Sequence, residues 1–131
     1  MSHLVAVYGT LRAGDTNHRL LHNAEHVMDA WVDGYWLGDF GPFPVAVPSG
    51  NFDHSVFVEV YEVDDLDPFD ALEGYPLFYD RCRVNIPGLD RSPWMYFQRN
   101  PGVSDWIPSG DWLLGESIPV SEGHTDAVLD S

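Results

Sequence analysis

Two features of this chain carry residue types suited to chemistry at a carbonyl. The first is Glu73. It closes a short stretch that reads as a helix and is followed by Gly74-Tyr75-Pro76. The negative end of a helix dipole disfavours an ionised carboxylate. The aromatic neighbours Tyr75, Phe78 and Tyr79 would strip water from it. Both effects raise the pKa of a glutamate towards neutrality, where a general base works best. The second is the run Tyr8-Gly9-Thr10-Leu11-Arg12-Ala13-Gly14, directly after an apolar strand. A glycine there lets backbone amides approach a ligand closely, and successive N–H groups can cradle an anion or a developing oxyanion. Each feature alone has a plainer reading, an exposed helical glutamate and an ordinary turn.

Other candidates carry less. Glu59 lies within an apolar strand and is either a second site carboxylate or a group on a solvated face. His18, His22 and His26 fall at helical spacing, a faint metal signal, but Asn23-Ala24-Glu25 gives little support for a helix that long. No metal is expected. Cys82, the single cysteine, excludes an internal disulfide and reads as a small packing residue. No Lys-Ser/Thr follows the first loop, so it is not a phosphate-binding P-loop.

These groups need a scaffold. Leu4–Tyr8 reads as a strand buried on both faces. Asn17–His22 reads as a helical turn, and Val27–Leu37 as one aromatic-rich strand. A break at Gly41-Pro42-Phe43-Pro44 precedes a short strand at Val45–Val47. Val56–Val63 alternates cleanly, with Val56, Val58 and Val60 on one face and Phe57, Glu59, Tyr61 and Val63 on the other. A helix then starts with Asp67 as cap and Pro68 in the first turn, turns Phe69 and Leu72 to the core, and stops at Gly74. Phe78–Ile86 and Trp94–Arg99 read as two further strands. The expectation is one α+β domain over residues 1–115, built on a small mixed, barrel-like sheet with short flanking helices, and a flexible polar tail over 116–131.

Composition narrows the function. Six basic residues, none of them lysine, face 21 acidic ones, for a net charge of −15. Such a surface repels phosphate backbones and anionic membranes, so neither nucleic acid nor membrane is an expected partner. The acidity suits high solubility, a salty cytoplasm or a bias against lysine codons. The N-terminus has no basic region followed by a long apolar run, which makes the cytoplasm the expected compartment.

Taken in order, the motifs resemble the γ-glutamyl cyclotransferase-like family, especially its γ-glutamylamine type. The matching residues are Val7-Tyr8-Gly9-Thr10-Leu11-Arg12 with Gly14 and Asn17, and then Gly41-Pro42-Phe43-Pro44. Further along come Glu59-Val60-Tyr61-Glu62-Val63, Leu72-Glu73-Gly74-Tyr75-Pro76 with Tyr79 and Arg81, and Ser109-Gly110-Asp111-Trp112. The resemblance implies a barrel-like sheet and a cofactor-independent enzyme that converts a small γ-glutamyl amide to 5-oxoproline and a free amine. It implies Glu73 as the catalytic acid/base. It implies Tyr8, Gly9, Thr10, Leu11, Phe43 and Tyr79 around the substrate, with Phe43 where a tyrosine is common. Alternatives on the same fold are a non-catalytic metabolite-binding module and a deprotecting enzyme for γ-glutamyl-tagged intermediates.

The chemistry would be intramolecular aminolysis. The substrate's α-amine attacks its own γ-carbonyl, with an advantage that can reach roughly 7–11 kcal/mol when geometry is good. That amine arrives as an ammonium of pKa about 8, against about 4.3 for an ordinary glutamate, so proton transfer is uphill by about 5 kcal/mol. A desolvated Glu73 would shrink the gap.

Overall fold

The computed structural model describes residues 2–51 and 53–120. β1 (His3–Val7) is the centre of a five-stranded sheet. It pairs antiparallel with β5 (Ser55–Val63) on one side and parallel with β7 (Trp94–Phe97) on the other. β2 (Glu25–Asp33) and β6 (Asp80–Arg83) form the sheet's edges, giving the order β2-β5-β1-β7-β6. A second sheet runs β4-β3-β8-β9, from Pro44–Pro48, Tyr35–Asp39, Asp105–Ile107 and Ile118–Pro119. The two share a core without closing into a barrel. Backbone bonds stitch their margins, Gln98 N–H to the Ala46 carbonyl at 3.1 Å and Phe57 N–H to the Gly110 carbonyl at 2.8 Å.

Period-two alternation sorts the interior into two apolar clusters. Leu4 and Ala6 of β1, Val56, Val58 and Val60 of β5, Leu37, Ala46 and Ile107 from the second sheet and Met95 fill one. Val5 and Val7, Tyr61 and Val63, Val45 and Val47 fill the other, together with Leu21 and Phe69. Thus β1 is buried on both faces, as its unbroken apolar run requires. Leu21 comes from a 3₁₀ turn, His18–Leu21, and Phe69 from α1, Asp67–Glu73.

The departures from the sequence reading have local causes. The stretch 27–37 is two strands, because Gly34 takes φ 87° and sends β3 to the other sheet. Its N–H bonds to the His54 carbonyl and its carbonyl accepts from Ser49 N–H, which locks the corner. α1 begins one residue earlier than a cap at Asp67 would place it. Leu66 holds the cap position, without a side-chain bond. Leu72 is 40% exposed and does not join the core. Pairing in the 78–86 segment is confined to Asp80–Arg83, because Phe78 N–H and Tyr79 N–H turn back to the carbonyls of Gly74 and Glu73. In the expected tail, Ile118–Pro119 pairs with β8 and Val120 N–H reaches the Ser104 carbonyl. Residues 121–131 of that tail lie outside the described residues. Among the described residues no helix is long and apolar enough to cross a membrane.

Candidate active site

β1 delivers the loop from Tyr8 to Leu11 to the edge of a cavity of about 400 Å³. The loop is held by its carbonyls. The Gly9 carbonyl accepts from Arg12 N–H at 3.0 Å and the Thr10 carbonyl from Asn17 N–H at 2.8 Å. The Leu11 carbonyl accepts from His18 Nδ1 at 2.8 Å. Asn17 Nδ2 also donates to Thr10 Oγ1 at 2.9 Å. With these three carbonyls engaged, the amides of Gly9, Thr10 and Leu11 donate to no acceptor among the described residues. All three residues line the cavity. Free N–H groups in succession are an anion-binding arrangement. Gly9 is required by contact, since a Cβ there would sit 2.8 Å from Cγ and Cδ of Pro44.

Below the loop lies a buried ionic plug. Arg12 Nε donates to Glu59 Oε2 at 3.1 Å, and its terminal nitrogen to Asp111 Oδ1 at 2.6 Å. Glu59 Oε1 accepts from Ala13 N–H at 2.9 Å and from the Tyr61 hydroxyl at 2.8 Å. Glu59 is therefore neither a second site carboxylate nor a group on a solvated face. It is 7% exposed, anchors the loop from beneath and does not line the cavity.

The opposite wall comes from α1 and the turn after it. Gly74 takes φ 65°, and its N–H caps the helix on the Ala71 and Asp70 carbonyls. That stop sets Glu73, the last helical residue, into the cavity wall. Its carboxyl is partly buried, and burial pushes its pKa up to about 7. No hydrogen-bond donor reaches it among the described residues. The same carboxyl raises the pKa of Tyr8, Tyr79 and Tyr96, behind the larger effect of burial. The Tyr8 hydroxyl donates to the Tyr96 carbonyl at 2.8 Å and the Tyr79 hydroxyl to the Pro44 carbonyl at 2.9 Å. With their hydrogens spent on backbone, both hydroxyls can only accept from a ligand.

Glu73, Tyr8, Gly9, Thr10, Leu11, Phe43 and Tyr79 all line this one cavity. Phe43 packs against Phe40 and Phe78, with ring centroids 5.2 and 6.3 Å away. Sequence reasoning missed Tyr96, whose hydroxyl donates to Asp70, itself paired with Arg81 at 2.9 Å. It also missed Thr16 and Pro44. Tyr96 lies in a strand of four apolar residues, so only its partner Asp70 could have distinguished it. The three spaced histidines diverge: His18 holds Leu11, His22 Nδ1 bonds the Arg19 carbonyl, and His26 pairs with Asp29. Cys82 contacts the Tyr35 hydroxyl at 3.3 Å, away from the cavity.

Comparison with known proteins gives the family. The model of the "Gamma-glutamyl cyclotransferase, AIG2-like" family matches residues 5–114. A gamma-glutamylcyclotransferase family protein of Escherichia coli is 37% identical over 112 residues, which is 83% of this chain and 95% of the relative. A bovine gamma-glutamylaminecyclotransferase is 34% identical over 95 residues, 63% of this chain and 55% of the relative. A crystal structure of an uncharacterised protein from Pyrococcus horikoshii superposes with TM-score 0.66 at 31% identity, covering 84% of this chain and 89% of the other. On the family match, which takes in both the amide loop and Glu73, this chain belongs to the gamma-glutamyl cyclotransferase, AIG2-like family.

Proposed function

We infer that the protein cleaves γ-glutamyl amides by ring closure, releasing 5-oxoproline and an amine. The observation that carries this is a carboxyl of pKa about 7, without a hydrogen-bond donor, sharing a cavity with three unpaired backbone amides. The amides hold the glutamyl end, fold it so that its α-amine faces its γ-carbonyl, and receive the negative charge that develops there. Glu73 takes a proton from the α-ammonium. With its pKa at about 7 and the ammonium near 8, that transfer costs only about 1.4 kcal/mol.

The freed amine attacks the γ-carbonyl carbon. A C–N bond closes the five-membered ring, and the bond from that carbon to the departing nitrogen breaks. The α-nitrogen gives up two protons in all. Glu73 relays them to the departing nitrogen, which carried one hydrogen in the amide and leaves as an ammonium. As written, the reaction needs no metal or organic cofactor.

The test is mass-spectrometric detection of 5-oxoproline from a mixed panel of γ-glutamyl amides. The native protein should release it, and Glu73→Gln should not. The acid limb of kcat/KM should fall near pH 7, since the base form of Glu73 is required. Turnover by E73Q at the native rate, or an acid limb near pH 4, would remove Glu73 from the mechanism.

A further inference from the structure

Three tyrosines line the cavity with Glu73, and each comes from a different element. Tyr8 follows β1, Tyr79 stands in the turn after α1, and Tyr96 belongs to β7. Burial above all, with the Glu73 charge among the smaller causes, keeps each phenol protonated. A phenol has one hydrogen to give. Tyr8 gives it to the Tyr96 carbonyl and Tyr79 to the Pro44 carbonyl, both fixed by the backbone. Tyr96 gives it to a side chain, Oδ1 of Asp70. Asp70 stands on α1 itself, three residues before Glu73, so the two carboxyls share one helical face.

Asp70 is held in its turn. Arg81 Nε donates to Asp70 Oδ1 at 2.9 Å and a terminal nitrogen to Oδ2 at 3.4 Å. The guanidinium lies over the rings of Tyr75 and Trp94, 4.4 and 4.5 Å from their centroids. Arginine can only donate, so the carboxylate it grips is left to accept, and the shared hydrogen must come from Tyr96. A hydrogen given to a carboxylate favours its charged form. Were the Tyr96 hydrogen on Glu73 instead, Glu73 would be the weaker base.

We propose that Asp70, clamped by Arg81, is a positioning residue for the reaction: it holds the Tyr96 hydroxyl hydrogen on its own oxygen and away from Glu73. This rests on the ring-closing reaction above and explains how its base stays unsatisfied in a cavity with three hydroxyls.

The test is a carbon-13 NMR titration of the Glu73 carboxyl, assigned by its loss in E73Q, run beside the pH profile of kcat/KM. Asp70→Ala frees the Tyr96 hydrogen and should lower the Glu73 pKa by about one to two units, the worth of a hydrogen bond to a charged group, with the acid limb following. It also strips Arg81 of its carboxylate, and that bare charge pulls in the same direction. The double variant D70A/Y96F separates the two causes and should recover about half of the shift or more. A helix that had only been displaced would recover nothing. Tyr96→Phe alone should leave the Glu73 pKa within about half a unit of native, since the hydrogen it removes never reached Glu73.

An unchanged Glu73 pKa in Asp70→Ala would overturn the proposal. So would a shift that the double variant keeps in full, or a larger rise in Tyr96→Phe, which would put the hydrogen on Glu73 in the native protein. That last arm leaves Asp70 intact, so it decides the matter even if Asp70→Ala does not fold. The titration reads Glu73 without substrate. The expected shifts without release of 5-oxoproline would sink the ring-closing reaction and leave the hydrogen where it is assigned.

Discussion

Glu59 and Glu73 lie 14 positions apart, and each helps to build the cavity region in a different way. Glu59 is the more buried, yet three donors reach it, from the Arg12 guanidinium, the Ala13 amide and the Tyr61 hydroxyl. Glu73 is only partly buried, yet no donor reaches it, and its pKa rises to about 7. A buried carboxylate that is paired and fully hydrogen-bonded serves as structure, whereas one left unsatisfied keeps a proton within reach of neutral pH. The difference is that burial raises the Glu73 pKa with no donor to offset it, whereas Glu59 is buried with its donors in place.

The contrast breaks down if the two residues fail to separate stability from turnover. Glu73→Gln should lower kcat by about 10²- to 10⁴-fold, the usual worth of a positioned acid/base, with the circular dichroism spectrum unchanged. Glu59→Ala should act on the fold instead. It leaves Arg12 buried against Asp111 alone, and denaturant titration should register a loss of about 3–5 kcal/mol. A loss below 1 kcal/mol would show that the plug is not structural.

A subtler effect sharpens the same contrast. The folded protein holds the Glu73 proton to about pH 7, while the unfolded chain releases it near 4.5. Between those values the folded state binds more protons, so native stability falls as pH rises and stays lowered above 7. Glu73→Gln removes that deficit. It should be more stable than the native protein by on the order of 1–3 kcal/mol at pH 8, with the advantage gone at pH 4. A pH-independent difference in melting temperature would contradict an unsatisfied carboxyl.

The loop yields smaller effects. Gly9→Ala drives a Cβ to 2.8 Å from Pro44 and should cost about 1–3 kcal/mol of stability while raising KM. Asn17→Ala removes the Nδ2 bond to Thr10 Oγ1 and should cost about 0.5–1.5 kcal/mol, seen as a modest rise in KM with kcat held. If KM stays fixed in both, the loop amides do not hold the substrate.

Much of this molecule follows from one-dimensional pattern. The continuous apolar run of β1 requires burial on both faces, and the alternation of β5 sorts its valines from Tyr61 and Val63. Gly74 ends α1 because a left-handed residue is needed there. The order of the motifs marks the loop and Glu73 as members of one site. Pattern does not show which strands pair across 50 or more positions, or that Gly34 passes the chain from one sheet to the other. It also gives no sign that Asp105–Ile107 and Ile118–Pro119 pair, since short strands carry too few residues to show a period. The roles of the two glutamates belong to the same category. The Arg12 that satisfies Glu59 is 47 residues away, and Glu73 lacks a donor only because of what packs around it. Hydrogen-bond satisfaction depends on groups that meet only in the folded chain, so composition and spacing nominated both acids and tertiary structure divided their work.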